Sequence, residues 1–145
     1  MTEKQASAPN DFNAEIIGQF RSNKGTMVSG MFKGAPLLLL TSTGAKSGQS
    51  RVNPLAYTKD GDRYVVIASK GGAPTHPDWF RNVLANPEVT VEVGPNRFLA
   101  RAIVVEGAER DRLFDAQAAV MPNFAEYQAK TTRRIPVVVL EPITK

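Results

Sequence analysis

The chain has 145 residues, and 18 basic against 14 acidic side chains give it a formal net charge of +4. This length is typical of one domain, and 42% hydrophobic with 22% charged residues excludes a disordered chain. The absence of cysteine excludes disulfides and thiolate chemistry, and the single histidine, His76, excludes a multi-histidine metal site. The weak positive charge suits an anionic ligand.

Residues 1–34 are predicted to form a flexible N-terminus with one amphipathic helix and a linker, followed by a folded domain over 35–145. Phe12, Ile16 and Phe20 recur at helical spacing. This stripe either packs on the domain, which we favour, or contacts a membrane surface. Because no apolar run reaches the ~20 residues of a membrane span and no signal peptide is visible, we expect a cytoplasmic protein.

Strand signals follow closely on one another after residue 35. Apolar or alternating runs predict strands at 37–43, 52–58, 63–69, 89–93, 98–106 and 135–140. Helices are predicted from a Thr75 cap to Ala85, over 109–120 and over 124–130. Pro54 indicates an edge strand or a bulge. Short connections indicate about six antiparallel strands with peripheral helices, which favours a small β-barrel.

Two basic, glycine-rich turns are the first candidates for a ligand site. The segment Thr41–Arg51 holds two glycines, five hydroxyl side chains, Lys46 and Arg51. Turn backbones present N–H groups to anions, and the two cations supply charge. Because a strand follows instead of a helix, this is not a Walker loop. A solvated basic hairpin remains the alternative.

The second turn runs from Ser69 to Gly72, after a buried strand and before the helix that begins near His76. Helix N-termini attract anions, and finding a second basic turn favours a ligand site over a plain connector. His76 with Asp78 would make a conceivable general-base pair. We favour the alternative of a surface histidine in the first helical turn.

Met121, Phe124 and Tyr127 lie three residues apart around Pro122, so one helical face would hold all three. On spacing alone they are more typical of a core than of a site. As a pocket wall they would suit a flat apolar substrate. No serine has the context of a nucleophile elbow, and the aromatic residues lack the rows of a single-strand-binding protein.

Three segments in chain order carry a family resemblance: Leu40–Leu55; Ala68–Gly72 followed by Pro77–Asn82 and Ala85–Pro87; and Arg134–Val137 before the last strand. They resemble the deazaflavin-dependent nitroreductase family of actinobacteria. The resemblance spans roughly residues 35–142. It implies a split β-barrel related to flavin mononucleotide-binding oxidases. It also implies binding of the 8-hydroxy-5-deazaflavin coenzyme F420, whose reduced form is a hydride donor.

The resemblance implies a role for each matched position. The coenzyme's phosphate and anionic tail would contact Ala45, Lys46, Ser47 and Arg51. The deazaflavin would be lined by Val52, Asn53, Pro54, Leu55, Ala56 and Tyr57, and by the strand end Ile67, Ala68, Ser69 and Lys70. The helix would close the site with Asp78, Trp79, Phe80, Arg81 and Asn82, and Phe124 would cover the substrate side. The acceptor wall would comprise Ala56, Met121, Phe124 and Tyr127, where nitroreductase-active relatives carry tyrosines and only Tyr127 remains.

We therefore predict a split-barrel oxidoreductase that uses reduced F420 to transfer a hydride to a quinone, enone or nitro acceptor. Ser69 or Tyr127 would hydrogen-bond the acceptor oxygen, and water would supply the proton. The alternatives are a deazaflavin carrier or storage protein with little turnover and a barrel enzyme that binds FMN. A nucleic-acid-binding barrel is less favoured, so we expect neither nucleic acid nor a metal. The sequence leaves the oligomeric state open.

Overall fold

The structure, a computed structural model, describes residues 11–25 and 36–143. The first ten residues, predicted to be disordered, and most of the predicted linker lie outside these ranges. The described chain forms seven strands and four α-helices, in the order α1 Asp11–Ser22, β1 Leu37–Thr43, β2 Ser50–Ala56, β3 Thr58–Asp60, β4 Arg63–Ile67, α2 Asp78–Ala85, β5 Glu88–Val93, β6 Asn96–Val105, α3 Gly107–Val120, α4 Asn123–Ala129 and β7 Val137–Pro142.

All seven strands belong to one antiparallel sheet in the order β2-β1-β5-β6-β7-β4-β3. β2 and β3 lie at opposite edges of this order, yet only Tyr57 separates them in the chain. The sheet must therefore curl until its edges meet at that residue. This arrangement matches the predicted split β-barrel.

The strand count corrects the sequence prediction, which gave about six strands. The run predicted as one strand over 52–58 divides in two, because the chain changes partner at Tyr57. Residues up to Ala56 pair with β1, whereas Thr58 and its successors pair with β4. Pro54 lies on an edge strand, as its missing N–H group requires.

Alternate side chains of the strands enter the barrel. Leu38 and Leu40 of β1 and Val138 and Leu140 of β7 pack in its interior. The residues between them face outward, where helices cover them. Both faces of β1 and β7 are buried, which explains why their sequences are continuously apolar and do not alternate between apolar and polar residues.

Helix α2 closes the barrel through Trp79, Phe80 and Val83, which pack with the interior residues of the sheet. It begins at Asp78, three residues later than the predicted Thr75 cap. Thr75 does not cap the helix, because its hydroxyl instead accepts a hydrogen bond from the Lys70 ammonium group at 3.2 Å. Helix α2 is thus held in place by its buried aromatic residues, Trp79 and Phe80, and not by a side-chain cap.

The N-terminal helix packs on the outside of the sheet, in agreement with the favoured reading of its apolar stripe. Ile16, Ile17 and Phe20 are buried against Leu37 and Leu39 of β1. None of the helices in the described part of the chain is long and apolar enough to cross a membrane.

Candidate functional site

The turn between β1 and β2, Gly44–Gln49, is shaped by short-range hydrogen bonds. The Gly44 N–H donates to the Gln49 carbonyl at 2.8 Å, and the Gly48 N–H donates to the Gly44 carbonyl at 3.0 Å. Gly48 has a φ of +73°, a conformation that glycine adopts without strain. The turn thereby presents Lys46 and Ser47 to solvent.

Asn82 of α2 fixes this turn to the helix. Its side-chain oxygen accepts the Ala45 N–H at 3.0 Å, and its amide nitrogen lies 3.5 Å from the Ser42 hydroxyl. Asn82 is buried, so these bonds are shielded from water. One neutral side chain thus joins two segments that are distant in sequence and had been predicted as parts of one site.

Turn and helix enclose a pocket of about 190 Å³, which we call the basic pocket. Its lining comprises Gly44, Ala45, Lys46, Ser47, Arg51, Asp78, Arg81 and Asn82. Three cations therefore face one carboxylate, and that carboxylate of Asp78 already pairs with Arg81. The excess of positive charge favours an anionic group in the pocket.

Arg51 supplies the most specific sign that the basic pocket is built for an anion. Its Nε atom is buried and has no hydrogen-bond partner among the residues that the structure describes. A buried donor without a partner costs roughly 1–3 kcal/mol. A phosphate or carboxylate oxygen would satisfy this donor, so the residues present fit an anionic coenzyme tail.

The second basic turn follows β4 and has an unusual backbone. Lys70, Gly71 and Gly72 all have positive φ values, +48°, +63° and +85°. The two glycines adopt this region freely, whereas Lys70 is strained there. Gly72 also lies so close to α4 that a Cβ atom would come within 2.7 Å of the Tyr127 carbonyl oxygen. This turn is therefore defined by tertiary contacts as well as by its sequence.

Arg133, which the sequence analysis did not single out, reaches this turn from the segment before β7. Its guanidinium group donates to the carbonyl oxygens of Ala68, Ser69 and Ala73 at 3.1, 2.7 and 3.1 Å. It also contacts Nδ1 of His76 at 2.9 Å. The only visible signal was a pair of arginines immediately before a buried strand, and nothing in the sequence indicates its partners.

His76 does not form the general-base pair that was considered with Asp78, whose carboxylate binds Arg81. Its ring instead lies between Arg133 and the ring of Phe80, with centroids 4.9 Å apart. Partial burial and the positive charges of Arg133 and Arg81 lower the pKa of His76 below its usual 6.5. The imidazole is therefore neutral at pH 7.

The four residues of the predicted acceptor wall share one hydrophobic cluster on the outer side of the sheet: Ala56, Met121, Phe124 and Tyr127. Phe124 is buried and packs edge-to-face on Tyr127. Tyr127 is half-buried, and its hydroxyl accepts a hydrogen bond from Asn123 at 3.1 Å. The wall is thus largely apolar, with one hydroxyl group near its exposed end.

Other predicted site residues have packing roles in the structure. Trp79 and Phe80 are 4% and 6% exposed inside the barrel, and Ala68 is fully buried there. Ile67 packs on the outer side of the sheet. Along β2, Val52, Asn53, Pro54, Leu55 and Ala56 are half-buried. Tyr57 is also half-buried and meets the ring of Tyr64 edge-to-face. Burial raises the pKa of the Tyr57 phenol, which keeps it protonated.

The polar candidates divide between two places. The basic pocket brings Lys46 and Arg51 together, whereas Lys70 and Ser69 lie in the neighbouring turn held by Arg133. Helix α2 joins the two places, because Asn82 holds one turn and His76 precedes the helix beside the other. Within the described residues, no group of three or more His, Asp or Glu side chains could hold a metal ion.

Comparison with known proteins extends these observations. The model of the F420H(2)-dependent quinone reductase family matches residues 14–142. An F420H(2)-dependent quinone reductase of Mycobacterium tuberculosis is 46% identical over 108 residues, which cover 72% of each chain. The family match spans both basic turns and the helix α2 that follows them.

Solved structures agree with this assignment. A structure of an F420-H2-dependent reductase, FDR-A, has a TM-score of 0.68 and 44% identity, covering 73% of this chain and 94% of that chain. The heme storage protein HutZ from Vibrio cholerae shares the fold alone, with a TM-score of 0.59 and 15% identity over 90% of each chain. The predicted split barrel and the predicted F420-dependent oxidoreductase class are confirmed. The chain belongs to the family of F420H(2)-dependent quinone reductases.

Proposed function

We propose that this protein binds reduced F420 and catalyses hydride transfer from it to a quinone. The observation that carries the proposal is the basic pocket, where the buried Nε atom of Arg51 has no partner in the described part of the chain. The names of the relatives point to the same coenzyme and acceptor. When bound, the coenzyme supplies the hydride, and the chain's own residues bind, orient and shield.

The anionic tail of the coenzyme would be held by Lys46, Arg51 and the backbone of the β1–β2 turn. Lys46 is exposed and free to approach a phosphate, whereas Arg51 extends from a strand with its Nε atom already desolvated. Asn82 keeps the turn in place, so little ordering entropy remains to be lost on binding. Binding energy from this remote tail would orient the ring system for reaction.

The ring system would lie between β2 and the turn after β4. The half-buried side chains along β2 would offer one side of this site, and the Ser69–Gly72 backbone would form the opposite side. The protonated Tyr57 phenol lies at the junction of β2 and β3. The match of sequence segments supports these positions, and β2 continues directly from Arg51, which lines the basic pocket.

The acceptor would lie against the apolar wall of Ala56, Met121 and Tyr127. Dispersion contacts with these side chains suit a planar quinone or enone. A nitro group gathers negative charge as it is reduced and needs donors, which alanine and methionine cannot supply. Ser69 and Tyr127 are the hydroxyl groups proposed to stabilise charge on the acceptor oxygen. Quinone reduction should therefore exceed nitroimidazole reduction by roughly tenfold in kcat/KM.

The test is a fluorescence titration of F420 with the wild type and with the Lys46→Ala and Arg51→Ala variants. Each charge-assisted hydrogen bond contributes about 1.5–3 kcal/mol, so each variant should bind roughly tenfold to a hundredfold more weakly. The matched control is Arg101→Ala, which removes an exposed cation of β6 that does not line the pocket. It should leave affinity within about twofold.

Turnover is then followed as loss of reduced-coenzyme absorbance with a quinone and with a nitroimidazole. Tight F420 binding without oxidation by any quinone would identify a carrier protein and contradict the proposed enzyme. Preference for flavin mononucleotide over F420 in the same titration would contradict the coenzyme assignment.

A further inference from the structure

The backbone of Arg133 is fixed by hydrogen bonds of its own, apart from those that its side chain makes. Its N–H donates to the Thr131 hydroxyl at 3.1 Å, and its carbonyl oxygen accepts the Gln128 side-chain amide at 2.7 Å. Gln128 in turn accepts a hydrogen bond at 2.8 Å from Arg110, a buried residue of α3. The backbone of Arg133 therefore presents its side chain from a fixed point.

Among the described residues, the guanidinium group of Arg133 bonds only to the segment Ala68–His76, which joins β4 to α2. Three of its partners are carbonyl oxygens and the fourth is an imidazole nitrogen. Among the described residues no carboxylate pairs with it. Its positive charge is thus left uncompensated beside the Ser69–Gly72 turn, where it adds to the attraction for an anionic ligand.

The hydrogen bonds from Arg133 also fix the orientation of the peptide groups in the turn. All described peptide bonds are trans, so a carbonyl and the following N–H point in opposite directions across each peptide plane. With the carbonyls of Ala68 and Ser69 directed at Arg133, the N–H groups of Ser69 and Lys70 point away from it. Lys70, with its positive φ, lies between two residues whose carbonyls Arg133 binds, Ser69 and Ala73.

The contact with His76 requires a neutral imidazole. Arginine has no acceptor, so Nδ1 must accept the bond and the ring proton must lie on Nε2. Arg81 donates to the His76 carbonyl at 3.4 Å and adds positive charge. A second cavity of about 300 Å³ adjoins the ring, and its charged lining residues are Glu106, Arg110 and Arg134. Protonation would thus remove the acceptor and place a further cation beside Arg133.

We infer that Arg133 is a positioning residue that holds the Ser69–Gly72 turn in its coenzyme-binding shape. Because its bond to His76 needs a neutral imidazole, the positioning of the turn by Arg133 depends on pH. The inference rests on the proposed function, because it concerns the turn assigned to the F420 ring. It makes Arg133 a determinant of coenzyme affinity that need not touch the acceptor.

The first test is Arg133→Lys, in which one ammonium group cannot span three carbonyls and an imidazole. Hydrogen exchange at the Ser69–Ala73 amides, measured without coenzyme, should be at least about tenfold faster than in the wild type. The Kd for F420 should rise about tenfold or more, with kcat at saturation changed less than KM. The control is Arg134→Lys, an exposed neighbour whose ion-pair partner, Asp111, lies outside the turn.

The second test is the pH profile of F420 affinity in the wild type and in His76→Asn, whose side chain accepts a hydrogen bond and does not titrate. Because the pKa of His76 lies below 6.5, its contribution to the wild-type Kd should be constant well above that pH and should weaken binding as the pH falls. The coenzyme's own titration affects both proteins equally. The ratio of the two Kd values should therefore shift by about threefold or more between pH 7.5 and 5.5.

Unchanged exchange rates in a folded Arg133→Lys variant would overturn the positioning role, and parallel pH profiles would overturn the role of His76. If the wild type fails to bind F420, the proposed function fails. The exchange measurement would then still decide whether Arg133 holds the turn, because it needs no coenzyme.

Discussion

The two basic turns beside helix α2 are alike in sequence and different in how they are held. Each is rich in glycine, carries a lysine and follows a strand. The β1–β2 turn is fixed by Asn82, a buried neutral amide, whereas the turn after β4 is fixed by Arg133, a cation bound to carbonyl oxygens and an imidazole. The first anchor therefore does not change with pH, and the second depends on the charge of His76.

This difference separates two tasks. Because Asn82 is neutral, the cations Lys46 and Arg51 of the basic pocket are not used to fix the turn, and under the proposed function they would be available to the anionic tail. A charged anchor fixes the backbone and supplies part of the electrostatic field itself. The turn assigned to the reacting ring is accordingly the one with the more constrained backbone, as expected where alignment matters more than charge.

The largest expected effect comes from Trp79→Ala, because Trp79 supports α2 and therefore both anchors. Removing an aromatic side chain that is 4% exposed in the barrel should cost about 3–5 kcal/mol of unfolding free energy. The matched control is Leu84→Ala on the same helix, whose side chain is 58% exposed and should change stability by under about 0.5 kcal/mol. Equal melting temperatures for the two variants would show that α2 is not held by its aromatic face.

The two turns should respond differently to an added methyl group. Gly72→Ala places a Cβ against the Tyr127 carbonyl oxygen at a φ of +85°, so it should cost about 2–4 kcal/mol. Gly44→Ala meets only the movable Ser47 hydroxyl under 3.0 Å, and we expect about 1 kcal/mol or less. Urea unfolding of both variants measures the difference. Similar losses would mean that the two turns are equally rigid.

A smaller effect than that of Gly72→Ala is expected from removing the Asn82 side chain, which anchors the β1–β2 turn. Asn82→Ala leaves the Ala45 N–H without its partner and should cost about 1–2 kcal/mol of stability, with F420 affinity reduced severalfold. The ratio of variant to wild-type Kd should be the same at pH 5.5 and 7.5, in contrast to His76→Asn. The control is Asn86→Ala, since Asn86 makes a longer contact of 3.4 Å with the Thr43 carbonyl.

The local pattern of the chain was sufficient to predict most of the elements. Continuous apolar runs predicted β1 and β7, and Gly61 forms the predicted tight turn between β3 and β4 with a φ of +64°. The division of the strand at Tyr57 was not predictable, because it follows from a change of pairing partner and not from a local signal. The start of α2 was misplaced because Thr75 is bonded to Lys70 instead.

For the candidate site, too, local features could be predicted from the sequence and long-range contacts could not. That Lys46 and Arg51 line one basic pocket was predictable, because charge and glycine occur together in one short segment. Asn82 entered the prediction through family resemblance, and its hydrogen bond to Ala45 could not be derived from spacing. Arg133 was missed because its partners lie some sixty positions earlier in the chain. Long-range side-chain to backbone bonds leave no periodicity that a sequence pattern can reveal.

The position of Tyr57 between the two edge strands, β2 and β3, has a consequence for self-association. Exposed strand edges are templates for pairing with a second chain, and short, charged or proline-containing edges resist it. Here the outermost strands are consecutive: β3 has three residues, including Lys59 and Asp60, and β2 carries Pro54. Both edges of the sheet are therefore poor sites for strand addition by another protein.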